Sequence, residues 1–403
     1  MGTSPCLLSF LLTSRKISTV VYMIDLRNRM LVYKIMRKLG LQKLLYNLLY
    51  PFCKKRVEID GEALASSLRR LDSYYPDKGG TSIKETEQPL REKAEYDLQI
   101  IVPAYNVEKY IRECIDSILS QQTRYSFVVT VVNDGSTDNT AEILKEYETV
   151  GNVIVINQEN RGLSGARNRA LENILGEYVA FVDSDDCLPQ GTVEALLSAA
   201  RRTDADIVEG GYSSFNENGI TYTATHNDND DADRKELFGF CCGKIFRPHL
   251  FRKVHFPPNY LFEDSICIYL IYPQCRKITT IKDIVYLYRI NECGITNSSR
   301  KERRLMDALW VTRRMLEDSV RCNIPAKEIY DAFLIDMRVN YSRFASAGDE
   351  TLHKDVFIAS IDLMRKYFPE EKSSDRSLQA LEKSFREADY GAYCLYGRCY
   401  TCV

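Results

Sequence analysis

The sequence has no uninterrupted apolar run of the roughly 18 to 20 residues that a bilayer-spanning helix requires. Its short apolar run at residues 6–12 has no positive charge before it, which makes it a poor match to a secretion signal. Only four His occur, and the 13 Cys include no repeated Cys-x-x-Cys pair, so neither a zinc site nor a disulfide framework is expected. These absences predict a cytoplasmic protein with reduced thiols.

Acidic residues are almost missing from the first 56 positions, where eleven Lys or Arg face Asp25 alone. That segment therefore carries +10, which leaves −12 for the rest of a chain whose formal net charge is −2. The acidic remainder argues against nucleic-acid binding, whereas the basic end can meet an anionic surface. With 403 residues, the chain is long enough for one large or two moderate domains.

Amphipathic spacing marks this basic end. Residues 41–52 place apolar side chains at i, i+3 and i+4, and residues 32–39 begin a similar stripe. Two interpretations stay open: an interfacial helix held peripherally on anionic lipid, or a helix packed on its own domain. We describe residues 1–56 as a basic amphipathic extension, and the polar residues 57–96, interrupted by Pro and Gly, as a linker.

From residue 97 onward, short apolar strands alternate with helices. The predicted strands, each followed by a helical pattern, are at residues 98–103, 127–134, 152–157 and 177–183. This alternation predicts repeated βαβ units, and hence an α/β fold with a mostly parallel sheet flanked by helices. After residue 203 the pattern is less regular, with a predicted helix at 263–275, and from residue 301 helical periodicity dominates.

Polar residues follow each predicted strand, at the edge where ligands bind in parallel sheets. They are Tyr105 and Asn106, then Asp134, then residues 157–160, and finally residues 183–186. In the last group, Asp183 and Asp185 can converge on a hard divalent cation, Mg²⁺ or Mn²⁺, which would complete its shell with water and diphosphate. The alternative is a solvated turn, with Asp186 near the start of the next helix.

Two further stretches suit a nucleotide. Asp134 closes the second strand, where it can accept from the N–H of a base, although "NDGSTD" is also ordinary turn and helix-cap chemistry. In "NRGLSGARN", Gly162 and Gly165 permit close backbone approach beside Arg167, which can reach a diphosphate. The chain lacks the dinucleotide-binding and P-loop glycine patterns, which excludes those two kinds of site.

The combination resembles a known family. "IIVPAYNVEKYIRECIDSILSQ", "VVNDGSTDNT", "NRGLSGARNRAL" and "YVAFVDSDD" occur in the order found in glycosyltransferase family 2, the inverting GT-A-fold enzymes that include bacterial polysaccharide and teichoic-acid transferases. The resemblance implies a GT-A-type, Rossmann-like domain. It divides the chain into a nucleotide-binding half at 97–192, an acceptor half at 193–297 and a helical C-terminal subdomain at 298–403.

The resemblance also implies roles for individual residues. The nucleotide-sugar site would comprise Pro103, Ala104, Tyr105, Asn106, Asp134, Asn160, Gly162, Arg167, Asp183 and Ser184. Asp185, with Asp183, would bind the metal. In "FEDS", Glu263 and Asp264 look like the family's catalytic acidic pair, with Asp264 as the base, although an acidic first turn of a helix is the alternative.

One feature departs from the family pattern. Members often carry a His or a basic residue just after the Tyr-Arg of the last strand, but here Asn291 and Glu292 follow Arg289 and Ile290. The third protein ligand of the metal is therefore unassigned. Arg289 and Lys244 are candidates for a diphosphate contact.

The expected function is metal-dependent, inverting transfer of a hexosyl or N-acetylhexosaminyl group from a nucleotide sugar, with UDP as the expected nucleotide. The acceptor would be a glycan or a lipid-linked molecule at the inner membrane face. Inversion needs a carboxylate to take the proton of the acceptor hydroxyl and a cation to neutralise the departing diphosphate. The alternatives are a sugar nucleotidyltransferase, which would need a glycine-rich basic loop that we do not find, and a non-catalytic nucleotide-sugar-binding protein.

Overall fold

The computed structural model of the protein describes residues 26–291 and 303–401. The chain divides into two compact units. The sheet unit comprises Leu71–Phe333 and Tyr367–Glu371, and the helical unit comprises the described residues up to Arg70, Leu334–Lys366 and the described residues from Lys372 onward. Residues 1–25 of the predicted extension, and the predicted boundary at 297/298, lie outside the described residues.

A single mixed sheet is the centre of the sheet unit. Its strands, among the described residues, are β1 (Tyr96–Ala104), β2 (Phe127–Asn133), β3 (Val153–Asn157), β4 (Gly176–Phe181), β5 (Ile207–Asn216), β6 (Gly219–Ala224), β7 (Lys244–Phe246) and β8 (Ile278–Arg289). They lie in the order β3-β2-β1-β4-β7-β5-β6, and β8 pairs with β5. The α/β fold predicted from the alternating pattern is confirmed.

The first four strands are parallel, as the βαβ pattern predicts. β1 is buried on both faces from Leu98 to Ala104, which is why it reads as a continuous apolar run. Ala104 pairs with Asn133, and Asn133 pairs with Asn157, so three strands end level with one another. The polar residues that follow these strands therefore emerge along one edge of the sheet.

The second part of the sheet mixes directions. β7 is antiparallel to both β4 and β5, β6 forms an antiparallel hairpin with β5, and β8 runs parallel to β5. The segment after β4 also joins this part, because Cys187 and Leu287 exchange backbone hydrogen bonds of 3.1 and 2.9 Å. The acidic turn that ends β4 is thereby fastened to the end of β8.

The described residues form twelve α-helices: α1 (Leu26–Lys38), α2 (Gln42–Cys53), α3 (Gly61–Tyr74), α4 (Ile111–Leu119), α5 (Thr140–Lys145), α6 (Gly162–Leu171), α7 (Thr192–Thr203), α8 (Asp307–Arg321), α9 (Ala326–Ser346), α10 (Glu350–Tyr367), α11 (Gln379–Arg386) and α12 (Tyr390–Tyr400). The helix predicted at 263–275 is instead a π turn, Cys267–Ile271, followed by a 3₁₀ turn, Tyr272–Gln274. Pro273 removes an amide donor there, which interrupts regular α-helical bonding. None of the described helices combines the length and apolar character that crossing a bilayer needs.

Residues 57–96 contain more structure than their composition indicates. They begin with α3, and further along the chain Lys84 donates its backbone N–H to Lys253 O (2.9 Å) while Ser82 O accepts from His255 N (2.9 Å). Asp318 accepts the backbone N–H of Ser82 at 2.6 Å. The linker interpretation rested on polar composition, which carries no information about such long-range backbone bonds.

In the helical unit, α2 packs its inner face beside α12. Leu45 and Tyr46 are buried, and the Tyr46 ring lies 6.4 Å from that of Tyr400. The chain after α2 is held by Asp389, whose Oδ1 accepts the backbone N–H of Lys55 at 2.8 Å. An aromatic cluster around Tyr393 fills the interior of this unit, and burial there lowers the pKa of His353 to about 4.

Candidate active site

The end of β4 presents three carboxylates of unequal exposure. After Val182 the chain turns, with the Asp186 N–H bonded to Asp183 O at 3.0 Å. Asp186 is buried, and its carboxylate accepts from Tyr286 Oη (2.6 Å) and from the backbone N–H of Arg289 (2.7 Å). Burial, followed by the charges of Asp183 and Asp185, raises the pKa of Asp186. Asp186 therefore anchors the turn to β8, while Asp183 and Asp185 remain partly exposed.

Asp185 is the carboxylate most suited to a cation. Its Oδ2 accepts from Asn291 Nδ2 at 3.3 Å, and its carbonyl oxygen accepts from Arg289 Nε at 2.7 Å. Burial, and then the charge of Asp183, raises the pKa of Asp185. A carboxylate in such surroundings gains from a positive neighbour, because a cation would offset both effects.

Arg167, on α6, connects two acidic segments that are far apart in sequence. Its Nη2 donates to Asp183 Oδ1 at 2.8 Å, and its Nη1 donates to Glu263 Oε1 at 2.6 Å and to Asp264 Oδ1 at 3.4 Å. The guanidinium is 1% exposed and lies 5.1 Å from the centroid of the Phe256 ring. One buried cation therefore holds the acidic turn of β4 and the Glu263–Asp264 pair together.

The Glu263–Asp264 pair follows a strained backbone position. Phe262 has φ +65°, a left-handed conformation that is rare for a bulky side chain and costs about 1–3 kcal/mol. Glu263 is buried, whereas the Asp264 side chain is 34% exposed. Burial and the charge of Asp264, opposed by Arg167, raise the pKa of Glu263 to about 7. Asp264 is thus the member of the pair that a substrate can reach.

The predicted nucleoside residues lie at the ends of the parallel strands. Pro103 and Ala104 are buried in β1, while Tyr105 and Asn106 are exposed. Asn106 has φ +50°, and its Oδ1 accepts the backbone N–H of Thr137 at 2.8 Å, so it ties the ends of β1 and β2 together.

Asp134 is buried and holds the loop that leads into α6. Its Oδ1 accepts from Gln158 Nε2 (2.6 Å) and from the backbone N–H of Arg161 (2.8 Å). In that loop, Asn160 Oδ1 accepts the N–H of Gly162, whose φ of +73° begins α6. The predicted base-reading carboxylate therefore already orders the segment that carries Arg167.

The two basic candidates for a diphosphate contact occupy different places. Arg289 lies beside the acidic turn, where its Nη2 donates to Glu113 Oε2 at 2.6 Å. Lys244 is fully buried in an ion pair with Glu209, and its Nζ donates to the carbonyl oxygen of Phe238 at 2.9 Å. The structure brings Arg289 to the site edge and does not bring Lys244 there, because a buried carboxylate holds its ammonium group.

Comparison with known proteins agrees with this arrangement. The family model for glycosyl transferase family 2 matches residues 99–257. EpsH of Bacillus subtilis is 30% identical over 259 residues, which cover 59% of this chain and 74% of EpsH. The chain belongs to glycosyl transferase family 2.

Two further relatives define how far the likeness extends. The glycosyltransferase GlyA of Streptococcus pneumoniae is 36% identical over 233 residues, 53% of this chain, but the match spans only about a third (33%) of GlyA. The crystal structure of Staphylococcus aureus TarS residues 1–349 in complex with UDP-GlcNAc has a TM-score of 0.59 and 22% identity, and covers 75% of this chain and 91% of that one. At that identity the likeness shows the shared GT-A fold alone.

The acidic turn offers few side chains to a divalent cation. Over residues 26–291 and 303–401, no group of three or more His, Cys, Asp or Glu side chains is arranged to hold a metal. Asp183 and Asp185 offer hard oxygen donors, and burial and mutual charge raise the pKa of Asp185. Two carboxylates suit Mg²⁺ or Mn²⁺, which usually keep water and substrate phosphate as their other ligands. Asp183 and Asp185 are therefore the two side chains that would hold such an ion.

Tyr286 is a site residue that sequence reasoning missed. Besides donating to Asp186, its hydroxyl accepts the backbone N–H of Asp183 at 3.1 Å. Tyr286 lies 100 positions after Asp186, and nothing in the local pattern of β8 distinguishes it from an ordinary strand tyrosine. The pairing of Cys187 with Leu287, distant in sequence, brings it to the acidic turn.

Proposed function

We propose that the protein transfers a sugar from a nucleotide sugar to a glycan or lipid-linked acceptor, with inversion at the anomeric carbon. The observation that carries this proposal is the buried Arg167, which joins Asp183 of the acidic turn to Glu263 and Asp264. Asp183, a candidate ligand of the cation, and Asp264, the candidate base, therefore both contact one buried guanidinium. A UDP-sugar is the proposed donor, and the UDP-GlcNAc bound by TarS supports that choice.

Asp264 is the proposed base. Its partly exposed carboxylate would take the proton of the acceptor hydroxyl as that oxygen bonds to the anomeric carbon. The bond between the anomeric carbon and the phosphate oxygen breaks, and its electron pair leaves with the nucleoside diphosphate. Arg167 would keep Asp264 oriented, because Nη1 approaches Oδ1 from the protein side and leaves the outer face of the carboxylate to the acceptor.

A Mn²⁺ or Mg²⁺ ion held by Asp183 and Asp185 would neutralise the charge that develops on the departing diphosphate. Arg289 is a second positive group at this edge, near the carbonyl oxygen of Asp185. Glu263 has a supporting role in this proposal: buried against Arg167, it fixes the guanidinium on the side away from Asp183.

The test compares donor binding with transfer in the Asp264→Asn variant. We expect calorimetric binding of a UDP-sugar with Mn²⁺ to stay within about twofold of wild type, while transfer falls by about 10²–10⁴-fold. Asp72→Asn, at an exposed position in α3, is the matched control and should leave both unchanged. A fully active Asp264→Asn variant would refute the assignment of the base.

Analysis of the reaction products separates the alternative functions. UDP binding without turnover on any acceptor would favour a non-catalytic nucleotide-sugar-binding protein. Release of pyrophosphate from a nucleoside triphosphate and a sugar 1-phosphate would favour a nucleotidyltransferase. Release of UDP together with a new glycosidic bond of inverted configuration is the outcome we expect.

A further inference from the structure

The outward faces of α1 and α2 expose a row of large apolar side chains, which we call the outer ridge. On α2, Leu44, Leu48 and Phe52 recur at i, i+4 and i+8, so they share one side of the helix. They are 51%, 37% and 67% exposed, while Ile35 on α1 is 46% exposed and Leu39, directly after α1, is 64% exposed. Large exposed apolar side chains that cluster, unlike single scattered ones, mark an interaction surface.

Packing inside the helical unit does not account for the outer ridge. Other positions on α2 already supply the packing contacts, through Leu45, Tyr46 and the stacked ring of Tyr50. The sequence stripe at residues 41–52 is therefore wider than the buried face needs. Packing on its own unit explains why Leu45 and Tyr46 are apolar. It does not explain why the exposed ridge residues are apolar.

The charges around the outer ridge select the kind of partner. Residues 26–57 contain nine Lys or Arg and no Asp or Glu. Lys34, Lys38 and Lys43 are exposed on the same two helices as the ridge. A second copy of this chain would bring like charges together, because a two-fold interface places the same patch on both sides. An anionic phospholipid surface supplies both the apolar layer and the negative charge.

We infer that the outer ridge docks on an anionic phospholipid bilayer, with its apolar side chains at the acyl boundary and the lysines at the phosphates. This inference goes beyond the proposed sugar transfer and does not depend on it, because lipid binding is measured without nucleotide. Docking of the outer ridge on the bilayer would hold the protein beside lipid-linked acceptors.

The test is co-sedimentation of the full chain with phosphatidylglycerol vesicles and with phosphatidylcholine vesicles. We expect binding to the former only, weakened as salt rises from about 0.05 to 0.5 M. The Leu44→Ser/Leu48→Ser/Phe52→Ser variant should bind at least about 100-fold more weakly. Lys38→Glu/Lys43→Glu should reduce binding by about fivefold or more for each charge removed.

The matched control is Val320→Ser/Ile335→Ser/Val339→Ser, which changes three exposed aliphatic residues on α8 and α9 and should bind as wild type. Wild-type binding by the ridge triple variant would overturn the inference. So would failure of the unaltered chain to bind phosphatidylglycerol vesicles. In that case, light scattering that shows a dimer dissociated by the triple variant would assign the ridge to a second copy.

Discussion

The Nη1 atom of Arg167 lies 2.6 Å from Glu263 Oε1, and both side chains are buried. The two residues are 96 positions apart, on α6 and in the loop before the π turn. Because the same guanidinium also bonds Asp183, one cation faces three carboxylates, counting Asp264. Burial, and then the charge of Asp264, raises the pKa of Glu263 to about 7, and Arg167 opposes this rise only in part because it faces two further carboxylates.

Removing the Arg167 charge should destabilise the fold. Arg167→Met leaves Glu263 as a buried carboxylate without its cation, and breaking a buried pair in this way costs about 3–5 kcal/mol in the free energy of unfolding. Urea unfolding at pH 7.5 measures the loss. Arg169→Met, two positions along α6 at an exposed side chain, should stay within about 0.5 kcal/mol of wild type. Equal stability of the two variants would contradict the central role of Arg167.

Stability should depend on pH through Glu263. Its pKa in the folded protein is about 7, raised from 4.5, so folding favours the neutral carboxyl. That contribution is fully present below pH 4.5 and is lost as the pH rises through about 7. Relative to Glu263→Gln, the free energy of unfolding of wild type should therefore fall by up to about 3 kcal/mol between pH 4.5 and pH 8.

The pH measurement uses metal-free protein, and Glu172→Gln, at an exposed position, serves as the control. Burial lowers the pKa of His249 and of His255, and the contributions of such groups cancel in the difference between variant and wild type. A difference between wild type and Glu263→Gln that does not change with pH would show that folding does not raise the pKa of Glu263.

Nucleotide binding should depend on metal through Asp185. In thermal unfolding, saturating UDP with Mn²⁺ should stabilise wild type by about 2–3 kcal/mol, and UDP with a chelator should give much less. Asp185→Asn should lose the manganese-dependent part, because it removes a charged oxygen ligand. Asp72→Asn should behave as wild type. An unchanged UDP effect in the presence of the chelator would remove the metal from the proposed mechanism.

The Tyr286 hydroxyl should matter for stability as well as for the site. Tyr286→Phe removes the hydroxyl donor of Asp186 Oδ2 and leaves only the Arg289 N–H bond to Oδ1, which costs about 1–3 kcal/mol. Tyr222→Phe, an exposed tyrosine on β6, is the matched control and should change little. Chemical unfolding measures the loss of stability, and calorimetry of UDP binding shows whether the acidic turn still binds nucleotide. Identical unfolding curves for the two variants would contradict this anchoring role.

The pattern of apolar and polar residues along the chain was enough to predict the strands and helices that carry the candidate site. Apolar runs and helical spacing are properties of adjacent residues, so the four parallel strands and the acidic turn after β4 could be read directly. The π and 3₁₀ turns at 267–274 escaped prediction, because their apolar spacing resembles that of a regular helix. The backbone bonds of residues 80–88 escaped for another reason: polar composition does not reveal a distant partner.

The sequence by itself therefore determined the α/β framework and the position of the acidic groups at strand ends, because both depend on neighbours along the chain. Tertiary structure alone decided that Arg167 joins Asp183 to Glu263, that Tyr286 fastens Asp186, and that Lys244 is buried away from the site edge. Tertiary structure also decided which residues of the α2 helix are buried, Leu45 and Tyr46, and which apolar ones stay exposed. These relations join residues up to 100 positions apart, and only the packing of the folded chain sets their distances.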